Sequence, residues 1–126
     1  MSFSNTFETR VLQWVFTAGA VTRPTAWYVG LFTSAPGEAG GGTEVSGGSY
    51  ARQTIALTVT GDTASNSANI EFPEATGSWG TVTHMAIFDA LSGGNQIAYA
   101  ALTASKTIGT GDVLRFPIGD IDVTLD

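Results

Sequence analysis

From residue 27 onward the chain is a succession of short apolar runs, each cut off by a cluster of Gly, Asn, Asp or Ser. Breakers this closely spaced leave no room for helices of ordinary length, whereas a strand needs only roughly four to eight residues. The runs are Trp27 to Thr33, Tyr50 to Thr60, Asn69 to Phe72, Thr81 to Asp89, Gln96 to Thr103, Val113 to Phe116 and Ile121 to Leu125. Two of them alternate cleanly. Ile55, Leu57 and Val59 oppose Thr54, Thr58 and Thr60, while Ile121, Val123 and Leu125 oppose Asp122 and Thr124. A period of two places such residues on opposite faces of a strand. The pattern predicts a mostly β chain, a single antiparallel β-sandwich or small barrel of about seven strands.

Ahead of the strands the period changes. Phe7, Val11, Trp14 and Val15 recur at helical spacing, which predicts one amphipathic helix over residues 6–18. Asn5 is placed to cap it, with Glu8 completing a capping box. Gly19 is the expected stop, and Pro24 prevents continuation. Phe3 extends the apolar stripe, and Leu12 and Phe16 widen it. The favoured reading of that stripe is a lid on the β core, and the rival reading is a docking face for neighbouring subunits.

Residues 34–48 hold Pro36 and six glycines, and predict a long flexible loop with almost nothing to bury. With 126 residues and no dividing linker, one domain over 1–126 is expected. Only 13% of residues are charged, about half the usual share, so Ser, Thr, Gly and Asn must build much of the surface. The net charge is −6, and the five basic residues stand singly at Arg10, Arg23, Arg52, Lys106 and Arg115. Without a basic cluster to displace counterions, nucleic acid is not an expected partner, and the acidity disfavours anionic membranes. Cysteine is absent, which removes disulfides and thiolate metal sites. Lacking a signal-type segment and any apolar run of about 18 residues, the chain reads as soluble and untargeted.

Catalytic chemistry finds little support. His84 is the only histidine and lies inside a strand run, and no G-x-S-x-G elbow surrounds a serine. Asp120 and Asp122 share a strand face while Asp89 and Asp112 mark turns, but calcium needs about six or more oxygens from a concentrated loop. Aspartates in turns more often cap their own backbone. The glycines of residues 37–48 lack the Lys and Ser/Thr of a phosphate loop. Glu71 and Glu74 are the one carboxylate pair worth weighing for a polysaccharide hydrolase. The reading is therefore non-enzymatic, with no catalytic residue, cofactor or metal.

The order of motifs is nevertheless specific. The helix SNTFETRVLQWVF is followed by WYVGLFT, GGSYARQ, ATGSWGTVTH and GDVLRFP. Over essentially its whole length the chain resembles a family of small tailed-phage proteins commonly labelled phage tail fibre proteins. The resemblance implies a bacteriophage virion structural protein, assembled in the host cytoplasm. Its partners would be other virion proteins (the major capsid protein or tail proteins) and further copies of itself, a trimer being favoured. A compact β domain without shaft repeats suggests a head decoration (cement) subunit bracing the capsid. The alternative is a tail-associated tip or fibre adaptor that binds the host surface. In either case the expected contact residues are Phe3, Phe7, Val11 and Trp14 on the helix side, Gly40, Gly41 and Gly42 in the loop, and Trp79. Trp79, flanked by glycine, would stack on sugar rings if exposed and would be a core residue if not.

Overall fold

The computed structural model describes residues 1–125; Asp126 lies outside the described residues. The chain runs β1 (Ser2–Phe3), α1 (Asn5–Phe16), β2 (Tyr28–Ser34), β3 (Thr43–Glu44), β4 (Gln53–Thr54), β5 (Leu57–Thr60) and β6 (Thr63–Asn66). It continues through β7 (Ile70–Glu71), β8 (Gly80–Phe88), β9 (Gln96–Ile108), β10 (Arg115–Phe116) and β11 (Asp122–Thr124). The main sheet has the order β1-β9-β8-β2-β3, with β4 also paired to β2. A second layer consists of β11-β6-β5 and the pair β10-β7. Every pairing is antiparallel. The architecture is a mostly β antiparallel sandwich with one N-terminal helix.

The core lies between the layers. Val29 and Leu31 of β2 and Met85 and Ile87 of β8 turn inward from the main sheet. Ile70, Leu114, Phe116, Ile121 and Val123 meet them from the other layer, with Phe72, Tyr50 and Trp79 locked ring against ring. The opposite face of the main sheet carries a smaller cluster in which Phe32 and Phe88 stack over Ala86.

Several sequence expectations change here. Tyr50 to Thr60 is two short strands, because Ile55 is pulled into the core while Val59 stays exposed on an edge strand. β6 has no apolar signature; its Thr63–Asn66 segment is held by pairing on both sides, with β5 and with β11. β9 runs five residues past Thr103 because it follows β8 to Gly80, across a register shift between Val82 and His84. The helix spans Asn5–Phe16, with Ser4 as the N-cap and no side-chain cap bond. The capping box is therefore not formed: the Ser4 hydroxyl donates instead to the Gln96 carbonyl at 2.6 Å, tying the helix start to β9. At the other end Thr17 stops the helix by turning extended and returning both its N–H and its hydroxyl to the Gln13 carbonyl.

Residues 34–48 bury more than their composition suggests. Thr43–Glu44 pairs with β2, and Val45 enters the core. Gly42 is obligatory here: with φ +71°, a Cβ would stand 2.7 Å from the Ser34 carbonyl oxygen.

Candidate assembly surface

Among the described residues the chemistry-bearing side chains do not converge. His84 has Nδ1 2.8 Å from the Thr83 hydroxyl, and no carboxylate hydrogen-bonds to it. Asp89 accepts from the Asn95 backbone and side-chain N–H groups, and Asp112 accepts from the Gly109 N–H. Asp122 accepts from the Ser65 hydroxyl. Glu71 and Glu74 are exposed, with Glu71 paired in register with Arg115 of β10. No group of three or more potential metal ligands occurs among the described residues. No described helix is long and apolar enough to cross a membrane.

The most elaborate polar cluster joins Glu44 of β3 to Tyr50 and Arg52, just ahead of β4. Glu44 and Arg52 form a two-pronged ion pair, with Nε–Oε2 and Nη2–Oε1 both 2.8 Å. Nη1 of Arg52 donates to the carbonyls of Ala90 and Gly93, and the guanidinium lies 3.6 Å from the centre of the Phe88 ring. Tyr50 donates to Glu44 at 2.6 Å and accepts the Leu31 N–H at 2.9 Å. This hydroxyl fills the gap on the edge of β2 between its partners β3 and β4. Burial pushes Glu44 up, but the hydrogen bonds from Arg52 and Tyr50 and the Arg52 charge outweigh it and hold the carboxyl below its ordinary value. Burial and the neighbouring carboxylate push Tyr50 up. No buried side-chain polar atom among the described residues lacks a partner. The cluster is saturated, and it is a clamp rather than a reactive centre.

The loop bearing Gly40, Gly41 and Gly42 borders a cleft of about 440 Å³, whose other walls include Phe32, Arg52, Phe88, Asn95 and Gln96. Its path is fixed at two points. Gln96 donates to the Gly37 carbonyl, and the Asn5 N–H donates to the Glu38 carbonyl. Trp79 is elsewhere. It is 4% exposed, packed edge-on against Tyr50 and Phe72, with its indole N–H donated to the Gly48 carbonyl at 2.9 Å. A tryptophan so enclosed has no free ring face, so sugar stacking at Trp79 is corrected to a core role.

The helix is the main departure from expectation. Only Phe7 is buried, at 6% exposure, while Val11 and Phe3 are half-covered. Trp14 is 67% and Phe16 77% exposed, with Leu12 and Val15 also open to solvent. The favoured lid reading holds for the first turn alone. Beyond it most of the helix and of the return over residues 17–27 is exposed, until the Trp27 carbonyl accepts the Ile55 N–H. Sequence pattern revealed the apolar stripe, but it could not reveal which third of it the core would use.

Of the exposed large apolar side chains, Leu12, Trp14, Val15 and Phe16 lie within one turn and a half of a single helix, the densest such group on the described residues. A group of this kind suits cover by another protein. The chain belongs to the family described as Podophage GP4 fiber I protein gp80, whose model matches residues 2–124. It is thus a bacteriophage structural protein of a fibre family, a virion component that meets other virion proteins. No curated protein matches the chain. The family favours the fibre alternative over head decoration, and the capsid-cement expectation gives way.

Proposed function

We propose that the chain is a tail-associated fibre component that joins other virion proteins through the exposed apolar side chains of α1 and performs no catalysis. The observation that carries this reading is the set Leu12, Trp14, Val15 and Phe16, exposed together on one helix of a fibre-family protein. Water-exposed apolar side chains of this size each leave about 1.5–3 kcal/mol of burial unrealised, which a partner surface would supply. The sandwich, clamped by Glu44, Arg52 and Tyr50, holds the helix base. The cleft beside Gly40 to Gly42 supplies a second, polar border.

Separating heads from tails of purified particles and identifying the protein in each fraction by mass spectrometry tests the placement. The protein is expected with the tails; recovery with tail-free heads would return it to the capsid. Particles carrying Leu12→Ser and Phe16→Ser are expected to lose the protein from the virion. Full incorporation of that variant would remove α1 from the contact. Self-assembly into a trimer is a separate matter, read by light scattering over a concentration series.

A further inference from the structure

Two grooves flank α1, and their charges are opposite. On one side Phe7 and Trp14 face Val21 and Pro24 of the returning segment across about 180 Å³, rimmed by Arg10 and Arg23. On the other, Leu12 faces Phe3 and Leu125 across about 450 Å³, rimmed by Glu8 and Glu38. Val11 borders both. Arg10 and Arg23 are two of only five basic residues in a chain of net charge −6. The single ion pair within 4.0 Å among the described residues is Glu44–Arg52, so none of the four rim charges forms a salt bridge among those residues, although the Arg10 charge is felt at Asp89. Arg10 rests over the Phe7 ring at 4.7 Å, which leaves Arg23 as the less engaged cation. A mostly acidic chain thus concentrates positive charge beside one apolar strip and negative charge beside another on the same helix.

We propose that α1 docks on a second copy of this chain, the Glu8–Leu12 side of one helix seating against the Arg10–Arg23 groove of the other. Charge complementarity selects this occupant: each copy carries both halves of the contact, and apolar side chains on both sides meet beneath the charged rims. Opposite rims attract and orient the copies, whereas like rims repel, so the pairing is directional. Exposed charges at such a rim are screened by salt over about 10 Å at 0.1 M, and association is expected to weaken as salt rises.

This inference rests on α1 being the docking surface, and the test separates the two. Light scattering of the full chain at low salt is expected to show concentration-dependent association. Arg23→Glu and Glu8→Lys should each shift its midpoint to roughly tenfold higher concentration, because each sets like charges against each other. An equimolar mixture of the two variants should recover association, since the carboxylate introduced in one then faces the ammonium introduced in the other; a misfolded variant could not do this. Unchanged association of the single variants, failure of the mixture, or a monomer at every concentration would each overturn the proposal. If the chain is monomeric yet Leu12→Ser with Phe16→Ser still strips it from virions, self-docking fails while the fibre reading stands. If incorporation is also unaffected, both fail.

Discussion

Arg52 is the residue on which most of the local structure converges. Its side chain is 8% exposed, and it donates to Glu44, Ala90 and Gly93 while covering Phe88. Removing one partner of a buried pair leaves the other charge uncompensated, at about 3–5 kcal/mol. Arg52→Ala is therefore expected to lower unfolding free energy by about that amount in urea titration; a loss under about 1 kcal/mol would show that the pair is solvated. Gly30 explains part of the WYVGLFT motif: a Cβ there would stand 2.8 Å from Glu44 Oε2 and 3.2 Å from the Phe88 ring. The same reasoning links GGSY to GSWG, since Gly48 receives the Trp79 indole and a Cβ would meet both that ring and the Gly77 carbonyl at 2.9 Å. The motifs were visible in sequence, and their purpose was not, because each residue's partner lies roughly 8 to 58 positions away in the chain.

At the scale of elements, α1 and the strands were legible to different degrees. β2, β8 and β9 were evident from their length and apolar density. β1, β3 and β6 were not, since strands of two to four residues without an apolar alternation owe their conformation to neighbours that pair with them. Asn66, the end of β6, is 2% exposed and fully engaged: its amide donates to Ala68 and Pro117, and its carbonyl accepts from Ile121. For α1, helical periodicity named the right residues but overstated how many the core would cover. A 12-residue helix is marginal on its own, yet its exposed side chains contribute little to this fold. Leu12→Ser with Phe16→Ser should thus change the unfolding free energy by within roughly 0.5 kcal/mol per site, measured by thermal or denaturant unfolding. A large loss would mean that these side chains pack on the sandwich.

For the whole molecule, pH acts through carboxylates that the fold holds ionised. Burial raises Glu44 and Asp89, but hydrogen bonds outweigh it: from Arg52 and Tyr50 at Glu44, and from Asn95 at Asp89, where the Arg10 charge assists. Both end below their ordinary values. The unfolded chain then binds protons more readily than the folded one, so the stabilisation is fully present above the ordinary carboxylate range of about 4. It is lost as pH falls through the lower folded values. Stability measured from pH 7 downward should stay level to about pH 5 and then fall, and the fall should be shallower in Glu44→Gln measured against its own value at pH 7. An equally steep decline in that variant would place the acid sensitivity elsewhere.

Breaker spacing and binary pattern were enough by themselves to specify an antiparallel β chain with one leading helix. These are local properties, set by the backbone demands of each residue and by which side of a strand it occupies. Tertiary structure alone decided that Trp79 is enclosed, that the glycine-rich stretch anchors a strand and a core valine, and that most of α1 is left uncovered. Burial depends on which surfaces the closed sandwich has room to accept, and a sandwich filled by Phe72, Trp79 and Phe116 takes only Phe7 from the helix.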